Sequence, residues 1–426
     1  MSMDKQIGIQ ELREQYSQKM VGEFVKSIEA ADDAFFQSEE RTQKYVSLGN
    51  RKRQIRYKFE TFTINRRVYR NKETGELYYH VDQLFELLPY KWYQKEVRED
   101  IYNSYGNESI QSIAHRLGMS RMAVYDVLYE IGVVERKELV ESSIETSVHV
   151  QGDEKYFSHQ KSTRKKGQIR LMTVFTDKVE VCRNKHRLVN KKTFLFNDRK
   201  KPEAIQDEIM QYLQLRYPNL NRIYFSSDAG KWLIQVQEAF PKATFIYDLF
   251  HYKQYLMIIF SGHRKLAKKA NQFVREDRAY DFIQYCFNFI EEYKPDNGKA
   301  IEAVQTIANL WGPIQNNFKL RGYLGSNTEA QISHIATKYF AARPKGFSQR
   351  RMNAYLRVVE YKVNGWSYEQ IKDAQIKKKS ECRFESISER ERKPVPGRSS
   401  PGNANNIPTM NSSKTGFKQV LKRLTR

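Results

Sequence analysis

The runs SVHVQGD (147–153), QIRLMTVFT (168–176), KVEVCRN (178–184) and KTFLFN (192–197), followed by PEAIQDEIMQYLQLRYP (202–218), NRIYFSSD (221–228) and ATFIYD (243–248), decide the fold. The first four are alternating or continuously apolar, as strands are. The proline-led stretch carries apolar residues at helical spacing, with Pro202 where a helix tolerates it. Two more strands follow, separated by a helix expected from Lys231 to Phe240.

Strands, helix, strand, helix, strand is the order of an RNase H-like domain. Residues 252–323 have helical periodicity and no strand signals, so they are expected as a helical insertion. A last helix is expected from Asn327, its cap, to the break at Arg343-Pro344, giving a catalytic domain over 145–365.

Working outward, residues 1–50 are expected to be helical, because Ile9, Leu12, Tyr16, Met20, Phe24 and Ile28 recur at three- and four-residue steps. They suit a packing or dimerising helix pair. Residues 51–100 interleave aromatic and basic residues around a Glu73-Thr74-Gly75 turn, the pattern of a small basic β-hairpin region. It could track a phosphate backbone or simply present a solvated face.

Residues 101–140 contain ESIQSIAHRLGMSRMAVYDVLYEIG (108–132), which fits a helix-turn-helix. Ile113, Leu117, Val124 and Val127 would face inward, Ala114 would allow close helix contact, and Gly118 would make the turn. Ser120 would cap the second helix, leaving Arg121, Met122, Tyr125 and Asp126 to reach base edges. A plain helical packing unit is the competing reading. Residues 383–426 have the composition of a disordered basic tail.

Lys and Arg number 73 against 50 Asp and Glu, a formal charge of +23 over 426 residues. That excess suits a polyanionic partner. No apolar span or leader segment is legible, so a cytoplasmic, nucleoid-associated protein is expected, with no membrane partner. Cys182, Cys286 and Cys382 lie far apart without metal-ligand spacing, and the histidines form no zinc pair. The cysteines are expected to be reduced and structural.

Three acids carry the chemistry. Asp153 and Asp228 each close a β-rich run, and ligand sites in open α/β sheets form beyond the carboxyl ends of strands. Ala229-Gly230 after Asp228 would let a substrate backbone approach. Glu329 opens the last helix, where a first-turn acid could equally serve the helix dipole. Three carboxylates suit a pair of hard divalent cations, Mg2+ or Mn2+, in phosphodiester cleavage. His334 lies about 140° round an α-helix from Glu329, open to a DNA contact or to packing.

The blocks GDE (152–154), SSDAGKWL (226–233), YDLFHYKQ (247–254) and TEAQISHIATKYFAARPKGFS (328–348) resemble those of the ISLre-two-type insertion-sequence transposases, over roughly residues 50–365. The resemblance implies an Asp-Asp-Glu triad of Asp153, Asp228 and Glu329, each also a metal ligand. It places Arg343 in the family's Arg-Pro-x-Gly element. It also highlights Asp248 and His251, an Asp-x-x-His pair similar to one in mutator-like transposases; a helix cap and a core histidine are the plain alternatives. Because the first block reads Gly-Asp-Glu, Glu154 remains an alternative ligand. Asp153 is preferred as the shorter and more rigidly held carboxylate.

The expected fold class is thus α/β, an RNase H-like (retroviral-integrase-type) catalytic core with a helical insertion and an N-terminal α/β region containing a helix-turn-helix. The expected protein is a DNA transposase of a bacterial insertion sequence. It would bind double-stranded DNA, both terminal inverted repeats and target, as a homodimer or higher oligomer holding two metal ions per site. The competing readings are a junction resolvase or structure-selective nuclease, and a non-enzymatic DNA-binding regulator.

Overall fold

The computed structural model describes residues 9–57, 60–88, 91–133, 140–159, 166–183, 185–238, 240, 242–293, 297–341, 346–348 and 350–371. The chain divides into units 1–374 and 375–426. The expected tail and Cys382 lie outside the described residues.

A long helix α1 (Ile9–Gln37) and a short α2 (Glu39–Lys44) lead into a three-stranded sheet of β1 (Tyr45–Tyr57), β2 (Glu60–Asn71) and β3 (Leu77–Tyr78). Strand β1 begins inside the segment expected to be helical, because Tyr45 to Ser47 pair antiparallel with Tyr69 to Asn71. The Glu73-Thr74-Gly75 turn joins β2 to β3, with Gly75 at φ +71°. Helix α1 packs Ile28 against Ile55, Phe62 and Ile64. Its carboxylates bond to the backbone of β2: Glu29 accepts from the Asn65 N–H and the buried Asp32 from the Arg67 N–H. Ile9, Leu12, Tyr16 and Met20, expected in a packing or dimerising helix pair, are exposed.

After α3 (His80–Leu84), the helices α4 (Lys95–Ser104), α5 (Ile110–Arg116) and α6 (Arg121–Val133) gather around Ile113, Leu117, Val124 and Val127. Ser109 and Ser120 accept hydrogen bonds from the Ser112 and Ala123 N–H groups, satisfying orphan donors at the starts of α5 and α6. Gly118 turns at φ +56°. The Arg56 guanidinium of β1 donates to the Leu117 carbonyl at 2.6 Å, holding the turn against the first sheet.

The main sheet follows. It contains β4 (Ser147–His159), β5 (Lys166–Phe175), β8 (Lys192–Asn197), β9 (Arg222–Ser227) and β10 (Ala243–Tyr247) in the order β10-β9-β4-β5-β8. Strands β10, β9 and β4 run parallel, while β5 and β8 pair antiparallel. Residues 178–182, expected among the strands of the core, belong instead to a separate ribbon of β6 (Asp177–Cys182) and β7 (Lys185–Val189). Alternation could not reveal β7, because LysHisArg begins it and its surface is largely solvated. Cys182, exposed on the ribbon, and Cys286, buried, are both free thiols.

Successive residues of a strand face opposite ways, so the sheet supports two layers. Val148, Val150, Met172 and Phe194 meet α7 (Pro202–Arg216) and α8 (Lys231–Glu238). Phe157, Ile169, Leu171 and Leu195 meet the other layer. The helices expected as an insertion over 252–323 are α9 (Leu249–Phe260), α10 (Arg264–Arg275), α11 (Ala279–Tyr293), α12 (Gly298–Asn309) and α13 (Trp311–Lys319), packed around their own core.

The chain returns through α14 (Thr328–Gln331), a π-helix (Ile332–Ala341), β11 (Gly346–Phe347) beside β4, and α15 (Met352–Val363). The last helix was expected to be α-helical throughout; the wider turn from Ile332 removes the angular reading of His334. The helices α4, α5 and α6 share one core with the π-helix, α15 and one sheet face. Gly132 shows how close this is, for a Cβ there would lie 1.9 Å from the Ala354 carbonyl oxygen.

Helices also seal the sheet's outer strands. On β8, the Thr193 N–H donates to Asn364 and the Leu195 N–H to Glu360. On β10, Asn316 and Asn317 of α13 donate to the Phe245 and Tyr247 carbonyls at 2.7 and 2.8 Å.

Candidate active site

Register brings three aspartates into one row. Gln151 of β4 lies opposite Ser226 of β9, and Ser226 lies opposite Ile246 of β10. Two residues beyond that shared rung stand Asp153, Asp228 and Asp248. Neighbouring strands are roughly 4.8 Å apart, so carboxylates on adjacent strands at this level feel each other's charge. Asp153 was expected at a strand end; β4 in fact continues to His159. Its parallel pairing with β9 is nevertheless recorded only to Gln151, while pairing with β5 continues on the other side.

Asp153 is 7% exposed and accepts a hydrogen bond from the Glu154 N–H at 2.6 Å. Burial pushes its carboxyl up to about 7; the Glu154 amide opposes this, and the charges of Asp228, Glu329 and Asp248 add to it. Its chain neighbour Glu154 points to the other face, where it accepts from the Trp232 indole at 2.7 Å and from Gln168 at 3.0 Å. On that face a Cβ at Gly152 would meet Leu233 at 2.3 Å.

Asp228 is half-buried, and its carboxylate accepts from the Gly230 N–H at 3.0 Å. Between them Ala229 adopts φ +61°, a conformation that L-residues seldom take and that bends the chain sharply into α8. Glu329 is exposed in the first turn of α14. Asn327 precedes that helix but makes no side-chain cap bond; the Thr328 N–H instead donates to Ser326.

Asp248 is 3% exposed and caps α9 through the Phe250 N–H. Its other oxygen accepts from the Ser326 hydroxyl at 2.8 Å and from the Thr328 hydroxyl. His251 is half-buried on α9 with its ring edge-on to Phe250. His334 is exposed on the π-helix, and Arg343 lies outside the described residues.

Sequence reasoning missed the residues under this row. Gln151, 1% exposed, donates to the Gly325 carbonyl and accepts from the Asn327 N–H. Lys178 of the ribbon donates to the Leu324 and Gly325 carbonyls, and burial lowers its ammonium to about 8. Gln151 falls on the polar side of the Ser147-Val148-His149-Val150-Gln151 alternation, so its burial could not be read from its own run. Nothing local marks Lys178.

The all-carboxylate donor set fits a hard divalent cation. Among the described residues, however, no three His, Cys, Asp or Glu side chains are grouped tightly enough to hold a metal ion. A cavity of about 1030 Å³ lies elsewhere, between β8, α7 and α15, and none of the acidic row lines it.

Of the residues expected to read DNA, Arg121 and Met122 are exposed at the start of α6. Tyr125 is half-buried and Asp126 exposed, and both engage α15. The Tyr125 ring packs 5.9 Å from that of Tyr355, and Asp126 pairs with Arg351 of α15 at 2.5 Å. Among the described residues, no helix is long and apolar enough to cross a membrane.

The chain is 22% identical over 352 residues to a UPF0236 protein of Caldanaerobacter subterraneus subsp. tengcongensis, a match covering 81% of this chain and 75% of that one. A second UPF0236 protein of that organism is 22% identical over 353 residues, covering 81% and 71%. Among solved structures, the Drosophila P element transposase strand transfer complex aligns with 65% of this chain and 80% of that one, at 9% identity and a TM-score of 0.25. The sequence model described as an uncharacterised protein family (UPF0236) matches residues 2–379, and the chain belongs to that family.

Proposed function

We propose that this protein is a divalent-metal-dependent DNA transposase of the ISLre-two type, with an RNase H-like catalytic core. The observation that carries the reading is the aligned row of Asp153, Asp228 and Asp248 beyond one sheet rung, with Glu329 close enough to press on Asp153. The sheet order, three parallel strands extended by two antiparallel ones, supports the same fold. The charge of +23 supports a DNA partner.

In this reading Asp153, Asp228 and Glu329 would hold the cations through their carboxylate oxygens. A cation pair, when bound, stabilises both the attacking and the leaving oxygen of an in-line displacement. The protein contributes position. The strand backbone fixes Asp153, the turn at Ala229 aims Asp228, and the segment before α14 delivers Glu329. Hydrolysis at the element end frees a 3′-hydroxyl, which attacks target DNA without a covalent protein intermediate. The α5–α6 pair acts as a helix-turn-helix, with Arg121 and Met122 toward the bases and exposed Arg264, Lys265 and Lys268 of α10 toward phosphates.

A structure-selective nuclease is the second reading. It is favoured by the engagement of Tyr125 and Asp126 with α15, which narrows the base-reading surface of α6. The test uses the full chain with Mg2+ or Mn2+ on labelled DNA bearing inverted repeats, in competition with branched DNA. Asp153→Asn, Asp228→Asn and Glu329→Gln should each lose cleavage and keep repeat binding. Strand transfer at the normal rate by any of the three would overturn the assignment, and preference for branched DNA would establish the second reading.

A further inference from the structure

The acid that completes the row has little structure of its own to fix it. Glu329 sits in a helix of four residues that passes directly into a π-helix, and the chain reaches it through a segment without regular structure after α13. That segment is nevertheless bound at nearly every step. The Arg321 carbonyl accepts from Tyr224 at 2.9 Å, and the Tyr323 hydroxyl donates to Ser226 at 3.1 Å. Lys178 then takes the Leu324 and Gly325 carbonyls at 2.6 and 2.7 Å.

Gln151 uses both ends of its amide, donating to the Gly325 carbonyl at 3.0 Å and accepting from the Asn327 N–H at 2.9 Å. In effect the side chain makes the bonds that a neighbouring strand would make. Asp248 closes the series through Ser326 and Thr328, and Thr328 is the residue immediately before Glu329.

We propose that Gln151, Lys178 and Asp248 are positioning residues that lock the Leu324–Thr328 segment and so hold Glu329 over the aspartate row. The inference rests on the catalytic reading given above. Three observations favour it over simple loop packing. The three side chains come from three separate elements, β4, β6 and the end of β10, and converge on five consecutive residues. Gln151, Asp248 and Thr328 are 1%, 3% and 4% exposed, so their bonds face little competition from water. Asp248 stands in the row itself, yet one oxygen is committed to two hydroxyls and the other to a backbone N–H. It is therefore built to hold the loop rather than to offer a free ligand.

The experiment compares Gln151→Leu, Lys178→Met and Thr328→Val in the full chain with Thr328→Ser and Glu329→Gln. Four quantities are read: single-turnover cleavage, repeat-DNA affinity, melting temperature, and Mn2+ binding by electron paramagnetic resonance on the protein alone. Displacing a catalytic group by about an ångström costs on the order of 100-fold in rate. The positioning variants should lose rate on that scale and bind Mn2+ more weakly, with repeat affinity within about twofold of the parent. Thr328→Ser, which keeps the hydroxyl, should restore both. If Gln151→Leu does not fold, Thr328→Val against Thr328→Ser decides the matter. Parental cleavage and Mn2+ binding in Lys178→Met and Thr328→Val, with Glu329→Gln inactive, would overturn the positioning role and leave the catalytic reading intact. Parental cleavage by Glu329→Gln would overturn the catalytic reading itself.

Discussion

The Trp232 indole N–H donates to the Glu154 carboxylate across 2.7 Å, on the face of β4 opposite Asp153. Two adjacent acids that look interchangeable in the sequence thus have different neighbours. Glu154 has protein donors on both oxygens, whereas Asp153 has one backbone donor and a ring of like charges.

Glu154→Gln should therefore leave cleavage within a few-fold of the parent and lower stability by about 1 kcal/mol, the usual net worth of a hydrogen bond. Asp153→Asn should abolish cleavage. Parallel activity assays and denaturant titrations check this, and inactivity of Glu154→Gln at full stability would reassign the ligand.

Asp153 also predicts a pH dependence. Its folded-state pKa of about 7 lies above the ordinary 3.8. Between those values the folded chain keeps a proton that the unfolded chain has released, so stability falls as pH rises through the window and stays reduced above it. Without metal, Asp153→Asn should melt a few °C above the parent at pH 8, and the gap should close near pH 4. Mg2+ should raise the parent's melting temperature at pH 8 and have less effect on the variant. Scanning fluorimetry across pH reads all of these.

The two sides of α6 should separate in DNA binding. Arg121→Ala should cost repeat recognition about 1–3 kcal/mol, the usual value of a good base contact. Asp126→Ala removes a partly exposed ion pair with Arg351, worth roughly 0–1 kcal/mol, and should leave repeat selectivity unchanged. Fluorescence anisotropy with repeat and scrambled duplexes distinguishes them.

Gly132→Ala should destabilise the whole described unit. The added methyl would meet the Ala354 backbone rather than a side chain that can turn aside, and overpacking of this kind costs about 1–3 kcal/mol. Chemical denaturation should show one transition shifted to lower denaturant, because α6, α15 and the sheet share a core.

The sequence made some of this architecture readable and hid the rest for physical reasons. Strands ending near Asp228 and Asp248 were legible because each apolar run stops at an aspartate. Asp153 could not be placed correctly from its own run, since whether β4 continues to His159 depends on β5 as its partner. The π-helical turn after Ile332 leaves the apolar spacing looking like an α-helix. The merging of α4, α5 and α6 with one face of the main sheet depends on contacts with Tyr355 and Val358, more than 200 positions away in sequence. Lys178 and Gln151 act on a loop that only folding brings to them.

The amides of Asn316 and Asn317 on β10, with Asn364 and Glu360 on β8, occupy backbone groups that an incoming strand would need. Glu29 and Asp32 do the same along β2. Such rims otherwise template the addition of one chain to the next. With those groups taken, these stretches of β10, β8 and β2 are closed to strand addition, which guards crowded copies of the chain against growing into fibres along them.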